Sequence, residues 1–363
     1  AFGLTSLDGS TNGNGGWGVL VDNGANANNL EIGESINNTM GGLAILGASS
    51  TNNSVGRQYP LAAEPFLLMQ DNLGPGVRVE ASNTRLRFIQ AAGNEGDGII
   101  VEGALENIQI HSARIGFDSN GTLKPNQGSG IHFLGGVTKS KIGQDTVTYW
   151  NRDPRTSIGG NRDHGIFLED VSDIEIKYTD IGVAIFHDNL APNGGHGIYL
   201  LNSSGCTIGS NKMDYEVGIV GSPEGSGIRM EGAETFGNEV FGTTIGSIRN
   251  RFTSDNFYFP DTNMYGIHIT DGAWGNIIGR RGWWLQLKDP FTEDPIASFL
   301  TEVYITSSAE AGILLESGLD PRKTITVNDI PTGGNVVQNI NTFVNDSNFE
   351  YANKIGIILR GDA

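Results

Sequence analysis

The chain has 363 residues, a formal net charge of −18 at pH 7 and an isoelectric point near 4.6. This charge argues against nucleic acid and against an anionic membrane as partners, because both bind clusters of Lys and Arg. The sequence has no apolar stretch of about eighteen residues, so we expect no membrane insertion. The single cysteine, Cys206, cannot form an internal disulfide, and we expect it to be a core thiol.

A glycine followed by alternating apolar residues recurs along the whole chain. In chain order the units are Gly18-Val19-Leu20-Val21, Gly42-Leu43-Ala44-Ile45, Gly76-Val77-Arg78-Val79, Gly98-Ile99-Ile100-Val101, Gly130-Ile131-His132-Phe133, Gly165-Ile166-Phe167-Leu168, Gly197-Ile198-Tyr199-Leu200, Gly227-Ile228-Arg229-Met230, Gly266-Ile267-His268-Ile269, Gly312-Ile313-Leu314-Leu315 and Gly356-Ile357-Ile358-Leu359. Successive glycines are 22 to 46 residues apart, and shorter apolar runs follow within the units. A repeat of this length with an internal period of two predicts a solenoid with three strands in each coil.

The run Gly197-Ile198-Tyr199-Leu200-Leu201-Asn202-Ser203-Ser204-Gly205-Cys206-Thr207-Ile208-Gly209 is the clearest unit. It resembles the short glycine-isoleucine repeats of the pectate-lyase-like superfamily. The resemblance implies an all-β fold, a single-stranded right-handed parallel β-helix of about ten to eleven coils, with long loops on one side. It does not select a function, because lyases, polygalacturonases, phage tailspikes, adhesins and inert spacers share this architecture.

The repeat runs through the chain without a break in composition, so we predict one continuous domain over residues 1–363. Both ends are expected to be uncapped, since the first residues already read as a strand and Gly356 begins a new coil. Open ends predict copies of the chain as partners, stacked head to tail as a filament or side by side as a trimer. The acidic composition, rich in Asn, Gly and Thr, favours an extracellular, cell-surface or virion-surface location.

In each unit the first and third residues after the glycine are expected to point into the core and the second and fourth outward. The second position gives an outward column of Leu20, Ala44, Arg78, Ile100, His132, Phe167, Tyr199, Arg229, His268, Leu314 and Ile358. The fourth position gives a column of Asp22, Leu46, Glu80, Glu102, Leu134, Glu169, Leu201, Glu231, Thr270, Glu316 and Arg360. These columns hold the candidate site residues.

Glu169 and Glu231 are the candidate catalytic residues. They stand two coils apart, about 9.6 Å at the spacing of neighbouring strands, which suits the acid and base of an inverting glycoside hydrolase. The candidate substrate-binding residues could stack on sugar rings or hold acidic sugars, and they are His132, Phe167, Tyr199, Arg229, His268, Trp283 and Trp284. The alternative is that outward strand positions are ordinary polar surface. For the tryptophans, in the longest loop, the alternatives are a subunit contact or a small satellite core.

His164 and His196 directly precede the repeat glycine in consecutive units. The stretch Gly195-His196-Gly197-Ile198 is similar to an active-site stretch of polygalacturonases. The Asn-Thr-Asp, Asp-Asp and Arg-Ile-Lys elements of that family are missing here, so corner histidines are the favoured interpretation.

No cofactor and no metal is expected. Asp8, Ser10 and Asn12 match the first half of a calcium-binding loop, but Val19 stands where the closing bidentate Glu is required. A calcium ion at these three residues is the remaining alternative.

The sequence therefore favours a non-enzymatic structural or adhesive β-helix, such as a filament or surface-layer subunit, because the repeat fills the chain and no complete catalytic set is visible. The alternative is a carbohydrate-active β-helix resembling phage tailspike depolymerases, a polysaccharide hydrolase or lyase that uses Glu169 and Glu231.

Overall fold

The protein is described from a computed structural model. It describes residues 4–5, 11–31, 33–56, 67–118, 120–143, 155–183, 190–210, 217–220, 222–249, 256–258, 263–279, 286–288, 295–297, 303–305, 308–316, 326–327, 330–331, 336–337, 340–342 and 357–360. Within these ranges the chain forms strands and turns and no α-helix. Three parallel sheets are stacked along the chain, and successive strands visit them in turn. The predicted all-β parallel β-helix is confirmed.

Sheet 1 contains the strands of the glycine-apolar units. Its eleven described strands are Trp17–Val21, Gly41–Ile45, Val77–Val79, Ile99–Glu102, Ile131–Leu134, Ile166–Glu169, Ile198–Leu201, Ser222–Glu231, Asn263–Thr270, Ser308–Leu315 and Ile357–Leu359. Each strand pairs in parallel with the strands of the preceding and following coils, so the sheet follows the order of the coils along the chain.

Sheets 2 and 3 complete each coil and have ten described strands each. The strands of sheet 2 are Asn29–Leu30, Ser54–Val55, Arg85–Arg87, Gln109–His111, Thr138–Ile142, Ser172–Ile176, Thr207–Ile208, Glu239–Val240, Ile277–Ile278 and Val336–Val337. The strands of sheet 3 are Glu34–Ile36, Leu67–Gln70, Ile89–Ala92, Arg114–Ile115, Thr156–Ile158, Thr179–Ile181, Val217–Ile219, Thr243–Ile245, Val303–Ile305 and Ile340–Thr342. Three strands per coil is thus the observed number.

In the described part of the chain, four antiparallel hairpins lie outside the three sheets. Their paired strands are Leu4–Thr5 with Thr11–Asn12, Ser247–Arg249 with Asn256–Tyr258, Gln286–Lys288 with Pro295–Ala297, and Thr326–Val327 with Ile330–Pro331. The longer connections of the middle coils divide between two corners. Residues 143–155 link sheet 2 to sheet 3, whereas residues 182–197 link sheet 3 to sheet 1. Both corners flank the strands of sheet 3.

The interior is an aliphatic column. Inward positions of sheet 1, such as Ile131, Phe133, Ile166 and Leu168, are fully buried and belong to one continuous cluster that extends through the coils. Cys206 is a buried free thiol in the same cluster, as predicted, and burial raises its pKa to about 12. None of the described segments is a helix long and apolar enough to cross a membrane.

Close stacking of the coils explains the recurring glycine at the start of the sheet 1 strands. A Cβ atom on Gly98, Gly130, Gly165 or Gly197 would lie 2.6 Å from the carbonyl oxygen of the repeat glycine in the next coil. Real side chains do not tolerate such a contact with backbone, so only glycine fits where the chain turns from sheet 3 into sheet 1.

A ladder of asparagines, buried from Asn38 onward, lines the same corner. Its members each stand four residues before a repeat glycine and are Asn14, Asn38, Asn72, Asn94, Asn126, Asn161 and Asn193. From Asn14 to Asn161 each Nδ2 donates to the Oδ1 of the next member, at 2.8 to 3.0 Å. At most steps the backbone N–H donates to the same oxygen. The ladder supplies these buried polar groups with partners and couples one coil to the next.

Candidate functional site

Strand register aligns the two predicted outward columns on sheet 1. His132, Phe167, Tyr199 and Arg229 are successive partners across four strands. In the second column Leu134, Glu169, Leu201 and Glu231 are partners in the same order. The inward and outward alternation is visible in their burial, since the outward residues are only half-buried. Glu169 and Glu231 therefore stand two coils apart on one face, with Tyr199 on the strand between them.

Three rings of the first column form a parallel stack, which we call the ring ladder: His132, Phe167 and Tyr199. The ring centroids of His132 and Phe167 are 4.5 Å apart, and those of Phe167 and Tyr199 are 4.9 Å apart at an interplanar angle of 4°. The guanidinium carbon of Arg229 lies 5.9 Å from the centroid of Tyr199. Both faces of Phe167 are thus covered by neighbouring rings, and the ladder offers ring edges to a ligand.

A second stack, His164 and His196, packs beside the ring ladder. The two imidazoles are parallel, with centroids 5.2 Å apart. Both contact Tyr199 edge-on, at 5.0 and 5.2 Å between centroids. The two histidines were expected to be corner residues. They do lie at the corner between sheets 3 and 1, and the structure also brings them against the candidate substrate-binding residues.

At one end of the ring ladder, Glu231 is held by two donors. The Tyr199 hydroxyl donates to its Oε2 at 2.8 Å, and Nε of Arg229 donates to the same oxygen at 2.6 Å. Burial opposes ionisation of Glu231, but the hydrogen bonds from Tyr199 and Arg229 and the charge of Arg229 outweigh it and lower the carboxyl pKa. Burial, together with the bond to Glu231, raises the pKa of Tyr199. Glu231 is therefore an ionised acceptor and Tyr199 a neutral donor.

At the other end, His132 lies between two carboxylates. Its Nε2 is 3.2 Å from Oε2 of Glu169, and its Nδ1 is 3.5 Å from Oδ2 of Asp97. Burial disfavours the imidazolium, but the hydrogen bonds and charges of Asp97 and Glu169 outweigh it, so the pKa of His132 is raised. Each ring nitrogen of His132 therefore has a carboxylate acceptor, and the two carboxylates favour the protonated imidazole.

Backbone N–H groups of the next coil fix three of these side chains. Ser129 N donates to Oδ1 of Asp97 at 2.6 Å. In the same way His196 N donates to Nδ1 of His164, and Ser226 N donates to Nδ1 of His196, both at 2.9 Å. An Nδ1 that accepts a hydrogen bond carries no proton, so neutral His164 and His196 are protonated on Nε2.

Glycines two residues before the repeat glycine make room for this arrangement. A Cβ on Gly128 would lie 2.3 Å from Oδ1 of Asp97, and one on Gly195 would lie 2.3 Å from Nδ1 of His164. The side chain that directly precedes a repeat glycine therefore folds over the Cα of the next coil. The packing also strips water from the imidazoles. Burial lowers the pKa of His164, and burial with the charges of His164 and Arg229 lowers that of His196 to about 3.

His268 belongs to a separate cluster further along sheet 1. It pairs with Arg229 in register, but its Nε2 bonds Oε2 of Glu316 at 2.8 Å, in the coil beyond. Burial lowers the pKa of His268, and the imidazole is a neutral partner of Glu316. The structure therefore does not join His268 to the contacts around Glu169 and Glu231.

Other predicted residues are not part of this cluster. Trp283, Trp284, Asp8 and Ser10 lie outside the described residues, and Asn12 lies in an antiparallel hairpin strand. Within the described ranges no group of three or more His, Cys, Asp or Glu side chains is arranged to hold a metal ion.

Asp97 is the residue of the site that the sequence columns missed. It directly precedes Gly98, the same position that His164 and His196 occupy before their glycines. This third column was visible in the spacing. The contact between Asp97 and His132 was not visible in the sequence. It depends on Gly128, which leaves room for the side chain of Asp97.

Comparison with known proteins identifies no family for the chain. No family model matches it, and no curated protein matches it. Among solved structures, the chain is similar to the crystal structure of a mutant of the periplasmic alginate epimerase AlgG, with a TM-score of 0.36 and 12% sequence identity. The similarity covers 92% of this chain and 72% of that one. At this level the similarity supports no statement about activity.

Proposed function

We propose that the protein acts on a polysaccharide and hydrolyses it at sheet 1, with Glu169 and Glu231 as the catalytic pair. The observation that carries the proposal is the placement of these two carboxylates on one face, two coils apart, each hydrogen-bonded to a member of the ring ladder. Two coils correspond to about 9.6 Å along the stack. Inverting hydrolases separate their carboxyl groups by about 6.5–9.5 Å to admit a water molecule.

Electrostatics divide the roles. Glu231, whose pKa is lowered by Tyr199 and Arg229, is ionised and serves as the base that takes a proton from the attacking water. Glu169 accepts a hydrogen bond from His132, whose pKa is raised. The proton shared by the pair moves from Nε2 of His132 to Glu169, which delivers it to the leaving oxygen and leaves a neutral imidazole. Asp97 is a positioning residue, since it contacts His132 from the other side.

A structural or adhesive role is the second candidate, and one observation favours it. The faces of the ring ladder are covered by neighbouring rings and by Arg229, as expected if the stack only stabilises the coils. On that hypothesis the carboxylates are ordinary hydrogen-bond partners of half-buried rings. Either role is compatible with an extracellular or surface location, which we propose from the composition alone.

The test is a cleavage screen of the whole chain against neutral, amino-sugar and uronate polysaccharides, read out as new reducing ends. We expect Glu169→Gln and Glu231→Gln each to lower the rate by at least about a hundredfold, because general acid–base catalysis contributes about 10²–10⁴. Release of the inverted anomer, followed by NMR, would support the two-coil separation as functional.

Glu102→Gln is the matched control. Glu102 itself contributes to the charge of the face, so Glu80→Gln serves beside it: Glu80 occupies the same outward column one coil further from the ring ladder, and Arg78 is the partner of both carboxylates. Both control variants should retain cleavage, and Glu80→Gln should cleave at the wild-type rate. If no polysaccharide is cleaved while all four variants fold and assemble like the wild type, the structural role is the better account.

A further inference from the structure

Several carboxylates lie along the edge of the ring ladder. Carboxylates accept hydrogen bonds and donate none when ionised. Glu231 is ionised, and Asp97, Glu169 and Asp163 stand close to the rings, with Asp163 3.1 Å from Nε2 of His164. A ligand that brings donors therefore finds several acceptors along this edge, in addition to the Nε2–H donors of His164 and His196.

The formal charge of the surrounding face points the same way. This face is defined by five coils, which begin at Gly98, Gly130, Gly165, Gly197 and Gly227. It comprises the outward second and fourth positions of each coil and the three residues before each of these glycines. The acidic residues at these positions are Glu95, Asp97, Glu102, Asp163, Glu169, Glu224 and Glu231. The permanently charged bases are Arg162 and Arg229.

The charge of Arg229 is already paired with a carboxylate of the site. Nε of Arg229 lies 2.6 Å from Oε2 of Glu231, and the two side chains are only about a quarter exposed. A polyuronate carries one carboxylate in each sugar, and each of these would meet an excess of like charge on this face. Sugar hydroxyls and ammonium groups, in contrast, supply the donors that the carboxylates lack.

We propose that the glycan recognised at sheet 1 is non-anionic, and that sugars with a free amino group bind it more tightly than their neutral counterparts. The proposal rests on the proposed function, since it concerns the same site. It assigns the substrate class by charge: polymers of amino or neutral hexoses are accepted and polyuronates are rejected.

The experiment measures binding of three hexasaccharides to the intact chain by titration calorimetry at low and at physiological salt. The probes are a glucosamine hexamer, its fully N-acetylated counterpart and a galacturonate hexamer. We expect the glucosamine hexamer to bind best, with an affinity that falls as salt is added, and the N-acetylated hexamer to bind more weakly and independently of salt. The galacturonate hexamer should bind least.

Asp163→Asn and Glu106→Gln form the matched pair of variants. Both remove one negative charge from an exposed carboxylate, but Glu106 pairs with Lys139 beside sheet 2, away from the ring ladder. Asp163→Asn should weaken glucosamine binding about fivefold at low salt, as expected for one charge contact, and Glu106→Gln should leave it unchanged. Equal effects of the two variants would mean non-specific attraction to an acidic protein and would overturn the proposal.

The two proposals fail in different ways. If the galacturonate hexamer binds as tightly as either of the others, or if a polyuronate is the polymer cleaved, the charge assignment is wrong although the site is catalytic. If no hexamer binds and no polymer is cleaved, the proposed function itself fails.

Discussion

The two faces of sheet 1 come from the same strands and obey different rules. On the inner face, residues such as Ile166, Leu168 and Leu200 are aliphatic and fully buried. On the outer face of the same strands stand Phe167, Glu169 and other residues that change from coil to coil. The inner face must fill a continuous core in every coil, whereas the outer face is free to vary. Chemistry that is particular to this chain is therefore concentrated on the outer face.

The neighbouring leucines of one strand provide the sharpest test of that difference. Leu200 points inward and is fully buried, whereas Leu201 points outward and is half-buried. We expect Leu200→Ala to lower the free energy of unfolding by about 2–5 kcal/mol, because it opens a cavity in a packed core. Leu201→Ala should cost less than about 1 kcal/mol. Urea unfolding followed by circular dichroism measures both, and equal losses would contradict the assignment of the two faces.

Two asparagines extend the comparison to polar groups. Asn126 lies inside the ladder with bonds to Asn94 and Asn161, whereas Asn107 bonds Asn83 at the exposed surface. Asn126→Ala should lower the free energy of unfolding by about 1–3 kcal/mol, since it leaves buried neighbours without partners. Asn107→Gly, which removes the side chain but suits the left-handed backbone at this position (φ 57°), should change it by less than about 1 kcal/mol. A similar loss at the two positions would show that the ladder adds nothing beyond its surface counterpart.

On the outer face, Tyr199→Phe isolates one hydrogen bond of the site. The ring stack is kept, but Glu231 loses one of the donors that lower its pKa. The pKa of Glu231 should rise toward its ordinary value, so the acidic limb of the pH profile for cleavage should move to higher pH. The expected shift is less than about one pH unit, because Arg229 remains in place. An unchanged acidic limb would remove Glu231 from the role of base.

The last prediction concerns His196 and the pH dependence of stability. Its pKa is about 3 in the folded chain and 6.5 ordinarily. The unfolded chain therefore takes up this proton first, and folding stability should decline as the pH falls from about 6.5 toward 3. In His196→Gln the side-chain oxygen can still accept the N–H of Ser226, and the decline should be smaller. Unfolding curves of the two proteins across this range would show it, and identical slopes would refute it.

The fold was predictable from sequence because its signal is repeated in every coil. The glycine, the inward aliphatic residues and the alternation all recur, and the register of the outward columns followed from them. The asparagine ladder was equally accessible. The numbers of residues between successive asparagines equal those between the corresponding repeat glycines. The asparagines compared are Asn38, Asn72, Asn94, Asn126, Asn161 and Asn193.

The site was only partly predictable, because its contacts occur once. The columns placed Glu169 and Glu231 on one face, and the contacts of Tyr199, Arg229 and His132 then depend on the rotamers of single side chains. Asp97 contacts His132 from the preceding coil. The contact requires glycine at position 128, because a Cβ there would collide with the Asp97 carboxylate. His268 shows the converse, since it shares the column but turns to Glu316 instead.

The asparagine ladder also bears on how such a chain can change its length. Each asparagine meets an identical group in the next coil, so removing the segment from one asparagine to just before the next would join two like ends. Residues 72–93 are the shortest such segment, and without them Asn38 would meet Asn94 in place of Asn72. The ladder thus marks equivalent positions in successive coils. Whole coils can be gained or lost at these positions during evolution while the hydrogen bonds between neighbouring coils are kept.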